Sequence, residues 1–398
     1  MCPKKGGFVM APLRGKSACI GLATEGVGEA PGFSAMELMA KASLGAINDA
    51  GLSPTDIDAV FAATAIHAMP ALSLSEHLGI RPIFSDGNNM GGSSFMAHAL
   101  TAAMAIDAGM IDTALIAYGS NQRSAGGFKS VSEPMPFEAD YQPRMPLTAY
   151  ALASSRYMHE FGATREDLAE VAVAARAWAN LNPEAFAHGP LSKDDVLAAR
   201  MISTPLTKLD CCLVTDGAAA IVMTRADRAK DSRKTPVYLL GAGMEHQHRM
   251  ISAMPDLTHT AALGSGRRAF AMAGLSPSDI DVLQLYDAFT INTILFLEDL
   301  GYCAKGEGKD LVKNGYIAPG GGLKVNTNGG GLSCVHPGMY GLFVTIEAVR
   351  QIRAAAGDEE GERGEGGWVP NAKVTLAHGN GGVLSSQVTT IWGHPDSL

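Results

Sequence analysis

The sequence lacks several features that mark common functional classes. Its six cysteines form no CxxC pair, and Cys211 and Cys212 are adjacent, so neither a zinc site nor a disulfide framework is predicted. No GxxxxGK loop occurs, and no GxGxxG follows the first predicted strand, so the common phosphate-binding motifs are missing. No apolar run reaches the roughly 18 residues that a membrane-spanning helix needs.

Positive charge is also scarce. The chain carries 31 Lys and Arg against 40 Asp and Glu, a net charge of −9, which leaves no basic footprint for nucleic acid. The N-terminal stretch "MCPKKGGFVMAPLRGKSACIGLA" lacks the apolar core and cleavage site of a secretory signal, so we expect a cytoplasmic protein. With 46% hydrophobic residues and 46 glycines in 398 residues, the composition favours a compact α/β enzyme.

An internal repeat indicates duplication. "AINDAGLSPTDIDAVFAAT" begins at Ala46 and "AFAMAGLSPSDIDVLQLYD" at Ala269, and both predict a helix stopped by glycine, a Ser-Pro turn and a buried strand. We therefore expect two copies of one α/β unit, residues 1–235 and 236–398. Residues of about 121–234 are predicted to be a loop or lid insertion with its own helices.

Five motifs in order resemble the thiolase superfamily: "LDCCLVTDGAAAIVMT", "YDAFT", "NTNGGG", "HPGMYG" and "HGNGG". They are most similar to its lipid-transfer-protein-like, sterol-carrier-protein-type bacterial branch, often labelled acetyl-CoA acetyltransferase. The resemblance implies an α/β thiolase fold with two pseudo-dyad-related βαβαβαββ halves in five αβαβα layers. It also implies a homodimer, a coenzyme A thioester as substrate without a bound cofactor, and a small zinc-ribbon/OB-fold acyl-CoA-binding partner.

The motif residues depart from the thiolase pattern where the nucleophile belongs. Gly91 stands at the position of the nucleophilic cysteine, Ser93 at the family serine and His378 at the second, acid–base cysteine. Tyr286 and Asp287 replace the Asn-Glu pair, and only the Gly-His-Pro histidine is retained, as His336. Thiolytic acyl transfer needs an activated thiolate, so glycine at position 91 argues against it.

The remaining groups suit retro-aldol cleavage of a β-hydroxyacyl-CoA, which needs a base for the hydroxyl and donors for the thioester enolate. In a cysteine-less steroid-side-chain aldolase branch of the superfamily, the tyrosine that matches Tyr286 is the proposed acid–base residue. The candidate acid–base residues are Tyr286, His336, His378, Tyr340 and Asp287. The candidate thioester-binding residues are Gly91, Gly92, Ser93, Asn380 and Gly381. Asp287 could instead be the N-cap of the next helix.

Two other functions stay open at this point. A thiolase or acyltransferase could use a displaced nucleophile, either Ser93 or Cys334, which would share a face with His336 if this segment were a strand. Ser93 could equally cap a helix start, and Cys334 could be a buried core residue. A non-catalytic acyl-CoA- or lipid-binding subunit is the third reading. No metal-ligand spacing is present, so no metal site is predicted.

Overall fold

The fold follows from a computed structural model, which describes residues 13–64, 66–125, 137–359 and 363–398. Residues 1–12, on which the predicted absence of a signal sequence depends, lie outside these ranges. Within the described segments, no helix combines the length and apolarity needed to cross a membrane.

The N-terminal half alternates strands and helices. Its elements are β1 (Ser17–Gly28), α1 (Ala35–Asp49), β2 (Ala59–Ala62), α2 (Pro70–Leu78), β3 (Phe84–Asp86), α3 (Ser94–Asp107) and β4 (Thr113–Ser120). An insertion follows, with α4 (Leu147–Phe161), α5 (Arg165–Ala179), α6 (Lys193–Ala198) and the hairpin of β5 (Met201–Ser203) and β6 (Leu206–Thr207). The chain then returns through β7 (Asp216–Arg225) and the short α7 (Ala226–Ala229).

The C-terminal half repeats this order. Its elements are β8 (Val237–His246), α8 (Ala262–Ala273), β9 (Val282–Leu285), α9 (Thr290–Asp299), α10 (Gly308–Leu311), α11 (Gly341–Ala355), β10 (Val374–Gly381) and β11 (Ser386–Gly393).

Nine strands form one mixed sheet in the order β3-β2-β4-β7-β1-β8-β11-β10-β9. The two halves meet where β1 pairs with β8 over only two residue pairs, Ala18–Tyr238 and Cys19–Val237. Helices α1 and α8 cover the outer faces, whereas α3 and α11 contact strands of both halves and lie between them. This is the five-layer α/β thiolase arrangement, and its helices on both faces explain why β4 is buried over its whole length.

The repeat extends to atomic packing. Each copy ends its first helix at a left-handed glycine, Gly51 or Gly274, and continues into a short helical turn that starts at proline. In each half a strand glycine lets that helix approach closely: a Cβ at Gly21 or Gly241 would lie 2.2 Å from a carbonyl oxygen of α1 or α8. The two copies of the sequence repeat therefore share the same local packing of helix against strand.

Two details differ from the predicted organisation. The range of about 121–234 is too long for the insertion, because Asp216–Arg225 forms β7 inside the main sheet, between β4 and β1. The C-terminal half also lacks a full third strand in its described residues: only Val325 bridges to Leu283. The next residue, Asn326, has a φ of 54° and its side chain accepts the N–H of Leu285, so the ladder ends there.

The two central helices begin side by side. A Cβ at Gly341, the first residue of α11, would lie only 1.8 Å from the carbonyl oxygen of Gly92, just before α3. The ends of β9 and β10 reach the same place, because Tyr286 donates its backbone N–H to His378 on β10. The fold thus gathers most of the motif residues at one end of the central layer.

Candidate active site

A cavity of about 630 Å³ lies between the insertion and this end of the central layer. On one side it is lined by Gly91, Gly92, Tyr286, Ala288, Phe289, His336, Gly338, Asn380 and Gly382. The insertion and the segment after it supply a mostly apolar wall of Pro146, Leu147, Tyr150, Phe186, Ile202, Leu209, Cys211, Cys212, Leu213 and Val214. A concave, largely apolar site with a few converging polar groups is typical of a substrate pocket.

The centre of the site is a pair formed by Tyr286 and His336. The Tyr286 hydroxyl lies 3.1 Å from Nε2 of His336 and also accepts the backbone N–H of Tyr340 at 3.1 Å. The His336 backbone is held on both sides, since its N–H donates to the Thr215 hydroxyl and its carbonyl accepts the Gln122 amide. The imidazole is therefore fixed in place beside the phenol.

Burial sets the charge state of this pair. Loss of hydration lowers the pKa of His336 to about 4 and raises the pKa of Tyr286 well above its ordinary value. Near neutral pH the imidazole is neutral and the phenol is protonated, and with the imidazole proton on Nδ1 the phenol donates to Nε2. The N–H of Tyr340 would stabilise negative charge on the phenolic oxygen. The pair can accept a proton from a substrate hydroxyl.

Before α3, where a thiolase has its nucleophilic cysteine, this protein has Gly91 and Gly92, which carry no side chains. A Cβ at Gly92 would lie 2.0 Å from Cε2 of Tyr286, so glycine at this position makes room for the tyrosine ring. Gly91 has a φ of 64°, and a Cβ there would lie 2.9 Å from Cα of Gly381. Cys211 and Cys212 line the cavity, but burial raises the pKa of the Cys211 thiol to about 12 and that of the Cys212 thiol further, which keeps both protonated.

The two residues considered as displaced nucleophiles are not among the residues that line this cavity. The Ser93 hydroxyl is buried against the Met90 carbonyl at 2.8 Å and the Ser386 hydroxyl at 2.7 Å. Cys334 closes a turn of π-helix over Gly330–Cys334, so the predicted strand geometry is wrong. Its sulfur lies 3.6 Å from the Asn182 amide, beside a separate crevice that does not include His336.

His378 lies deeper on β10 than the sequence comparison suggested. Both ring nitrogens are bound, Nδ1 to the Thr389 hydroxyl and Nε2 to the Gln387 carbonyl oxygen, each at 2.9 Å. Burial lowers its pKa to about 3, so the ring is neutral. His378 does not line the cavity, whereas Asn380, two residues further along the strand, does. The ring of His378 therefore contacts Thr389 and Gln387 and does not border the cavity.

Asp287 and Tyr340 also differ from their predicted roles. Phe289 is the N-cap of α9, and Asp287 instead accepts the N–H groups of Gly331 at 2.6 Å and Leu332 at 3.3 Å. Burial raises the pKa of Asp287 to about 7. The phenol of Tyr340 bonds to Asn328, its ring packs edge-on against the Tyr286 ring, and its backbone N–H bonds to the Tyr286 hydroxyl. Both residues hold the site together without lining it.

Only some of the glycines in the matched motifs reach the cavity. Gly381 packs so tightly on the Met90 carbonyl that a Cβ would lie 1.6 Å from it, and Gly382 lines the cavity in its place. Gly329 packs against Ala179 and Gly330 against Asp287, away from the cavity.

Besides the apolar wall, sequence reasoning missed four polar cavity residues: Tyr150 on α4, and the cations Arg123, Arg176 and Lys208. The helical pattern of α4 places Tyr150 on a buried face, but it does not indicate that this face covers the site. The three cations are far apart in the sequence and form no local motif. Across the described ranges, no group of three His, Cys, Asp or Glu side chains is arranged to hold a metal ion.

Known proteins share both the sequence and the fold. Residues 243–394 match the family model described as thiolase C-terminal domain-like. The chain is 36% identical to a 17-hydroxy-3-oxo-4-pregnene-20-carboxyl-CoA lyase of Mycobacterium tuberculosis, over 86% of this chain and 93% of the relative. It is 34% identical to a steroid side-chain-cleaving aldolase of Thermomonospora curvata, over 93% and 97%.

A solved structure extends this similarity to three dimensions. The structure described as Ltp2-ChsH2(DUF35) aldolase matches with a TM-score of 0.86 and 31% identity, over 96% of this chain and 98% of that one. At this identity and coverage, the likeness concerns the family as well as the fold.

Proposed function

The chain belongs to the thiolase superfamily, in its sterol-carrier-protein-like branch, and we propose on that basis which of its atoms carry out its carbon–carbon bond cleavage. The reaction is the retro-aldol cleavage of a β-hydroxyacyl-CoA into a carbonyl compound and a shorter acyl-CoA. One observation supports the assignment above others: the Tyr286 hydroxyl meets the neutral His336 ring in a cavity where Gly91 stands at the position of the thiolase nucleophile.

The proton path uses the pair as a relay. The β-hydroxyl gives its proton to the Tyr286 oxygen while Tyr286 passes its own proton to Nε2 of His336. The oxygen becomes a carbonyl, the bond between the α- and β-carbons breaks, and its electron pair forms the thioester enolate. After the carbonyl compound leaves, His336 returns the proton through Tyr286 to the α-carbon. No bond to the protein forms, and no proton or electron is left over.

Substrate binding divides along the cavity. The apolar wall from the insertion suits a bulky acyl group, and the steroid substrates in the names of the relatives favour a polycyclic one. Arg123, Arg176 and Lys208 supply positive charge for the phosphates of coenzyme A. Gly91, Gly92 and Asn380 border the reactive end and are candidates to bind the thioester.

The assembly is part of the same proposal. The related structure is an Ltp2-ChsH2(DUF35) aldolase, a name that includes a second, DUF35 component. We infer that this chain also works with a small zinc-ribbon/OB-fold acyl-CoA-binding protein. It would pair with a second copy of itself through β3, an edge strand of the sheet next to Ile83, whose side chain is 76% exposed.

Product analysis by mass spectrometry tests the function. The chain is incubated with β-hydroxyacyl-CoAs, and separately with β-ketoacyl-CoAs and free CoA, with and without the DUF35-type protein. We expect release of an aldehyde or ketone without consumption of CoA. Tyr286→Phe should lower kcat by about 10²–10⁴-fold, because the relay is cut. Tyr316→Phe, a half-exposed tyrosine that does not line the cavity, is the matched control.

Two outcomes would support the alternatives. CoA-dependent cleavage with an acyl group trapped on Cys334 or Ser93 would indicate a thiolase with a displaced nucleophile. Tight acyl-CoA binding without turnover in every combination would indicate a non-catalytic binding subunit. Neither Ser93 nor Cys334 lines the cavity, which argues against the first of these.

A further inference from the structure

A second phenol, that of Tyr150, borders the reactive end of the cavity and has no part in the relay above. Tyr150 comes from α4 of the insertion and lines the cavity together with Tyr286, Asn380 and Gly382. Its ring stacks on Phe289, with centroids 4.2 Å apart and an angle of 23° between planes. The ring is only 1% exposed, so the hydroxyl is held in one position.

A chain of side-chain hydrogen bonds ends on this hydroxyl. The Asn380 amide nitrogen donates to the Tyr150 oxygen at 2.8 Å, and the Gln387 amide nitrogen donates to the Asn380 oxygen at 2.8 Å. The Gln387 oxygen then faces Nε2 of His378 at 2.9 Å, and Nδ1 of His378 meets the Thr389 hydroxyl. All members of this chain are buried.

The hydrogen bonds in this chain of side chains all run in one direction. Because Gln387 presents its oxygen to His378, Nε2 must carry the ring proton and Nδ1 must accept from Thr389. Burial keeps His378 neutral, so this direction does not change near neutral pH. Every link therefore donates toward Tyr150, whose oxygen receives the Asn380 N–H. Among the described residues, the acceptor that the Tyr150 hydroxyl meets is the Gly382 carbonyl, at a long 3.4 Å, and the Asn292 side chain also lies close to this hydroxyl.

We propose that the Tyr150 hydroxyl donates a hydrogen bond to the thioester carbonyl oxygen of the bound acyl-CoA, and that Asn380, Gln387 and His378 are positioning residues for this hydrogen bond. The assignment deepens the function proposed above and rests on it. It gives the two tyrosines separate tasks: Tyr286 handles the β-hydroxyl proton, and Tyr150 stabilises the oxygen on which the enolate charge develops. A fixed donor aimed at developing charge is an effective catalytic element.

Burial raises the pKa of Tyr150 to about 12, although Asn380 and the backbone of Leu384 pull it down. The phenol therefore keeps its proton and stabilises the enolate by hydrogen bonding without transferring it. Proton transfer to the α-carbon stays with the relay of Tyr286 and His336.

Tyr150→Phe is the direct test, because phenylalanine keeps the stack on Phe289 and removes only the hydroxyl. We expect kcat to fall about 10²–10³-fold, as for loss of one donor at a developing oxyanion, with KM within about threefold. Tyr157→Phe is the matched control: it lies two turns later on α4, bonds to Glu298 and does not line the cavity. Its kcat should stay within about twofold. A Tyr150→Phe variant within about threefold of the wild type would overturn the proposal.

Infrared difference spectroscopy supplies a readout that needs no turnover. The probe is acetyl-CoA labelled at its carbonyl carbon, at saturating concentration. We expect binding to the wild type and to Tyr157→Phe to shift the thioester carbonyl band to lower frequency, and binding to Tyr150→Phe not to shift it. Absence of a shift in the wild type, or its persistence in Tyr150→Phe, would overturn the proposal. A shift that depends on Tyr150, in a protein that cleaves no β-hydroxyacyl-CoA, would keep the assignment of Tyr150 and refute the lyase mechanism.

The positioning chain is tested by Asn380→Asp. A carboxylate at position 380 can only accept, so it draws the Tyr150 proton away from the substrate. The kcat loss should match that of Tyr150→Phe, and the double variant should fall no more than about twofold below either single variant. Multiplying losses would mean that Asn380 acts independently, and would overturn the positioning role.

Discussion

Helices α3 and α11 occupy equivalent places in the two halves and begin in contact with each other, yet they bring different chemistry to the cavity. Before α3 stand Gly91 and Gly92, which offer backbone and empty space. Before α11 stands His336, a buried neutral ring bonded to Tyr286. The Tyr286 ring occupies the space that a side chain at Gly92 would fill. In this duplicated fold, glycines of the N-terminal half leave room for Tyr286 and His336, the pair of reactive groups that the C-terminal half contributes.

The largest effect is expected on the side that carries the reactive groups. His336→Gln keeps an oxygen that can accept from Tyr286 but cannot take up the proton, so kcat should fall about 10²–10³-fold. Steady-state kinetics measures this against His259→Gln, a half-exposed residue that does not line the cavity. Equal kcat values for the two variants would remove His336 from the relay.

The next prediction concerns a single methyl group added at Gly92, before α3, where the Tyr286 ring occupies the space beside the backbone. Gly92→Ala places a Cβ 2.0 Å from the Tyr286 ring, so the ring must move and the contact with His336 must lengthen. We expect a loss in kcat of about 10²-fold, as for a misplaced catalytic group. Gly87→Ala in the same loop is the control, since its Cβ would meet only the Ala62 carbonyl at 3.4 Å. An unimpaired Gly92→Ala enzyme would mean that the ring position is unimportant.

A third variant, Gly91→Cys, places a thiol at the position of the thiolase nucleophile before α3. Gly91→Cys forces a left-handed φ of 64° on a residue with a side chain and crowds Gly381. We expect no CoA-dependent cleavage of β-ketoacyl-CoAs and about a tenfold loss of lyase activity from backbone strain. Detection of an acyl-enzyme on the new cysteine would show that the glycine is the only barrier to thiolase chemistry.

A smaller effect should appear in the pH dependence. With a pKa of about 4, His336 is neutral down to about pH 5, so activity should not decline through its protonation between about pH 8 and 5. Stability behaves differently: between 6.5, the ordinary value, and 4 the unfolded chain binds a proton that the folded chain does not, so the free energy of unfolding falls as pH falls. Urea unfolding should show a smaller decrease from about pH 7 to 5 in His336→Gln than in the wild type. Equal decreases would contradict the lowered pKa.

The fold was largely predictable, because the internal repeat and the order of the five motifs can be read directly from the amino-acid sequence. The end of the insertion was not, since nothing in "DGAAAIVMTR" shows that β7 lies between β4 and β1. In the site, Tyr286 and His336 were predicted and do meet. His378 and Asn380 have the same strand periodicity, and only the depth of β10 in the fold decides which one reaches the cavity. Tyr150 could not be found at all, because its position depends on how the insertion packs.

The smallest effect is expected at Cys334, the thiol that the sequence placed beside His336. In the fold it faces Asn182 and stays protonated because burial raises its pKa. Cys334→Ser should leave kcat within about twofold, and alkylation of the native enzyme should not be prevented by acyl-CoA at this residue. Peptide mapping after labelling, with and without acetyl-CoA, checks both points. Loss of activity in Cys334→Ser, together with protection of Cys334 from alkylation by acetyl-CoA, would identify Cys334 as a nucleophile in the same half as His336. The contrast drawn above between the residues before α3 and those before α11 would then be wrong.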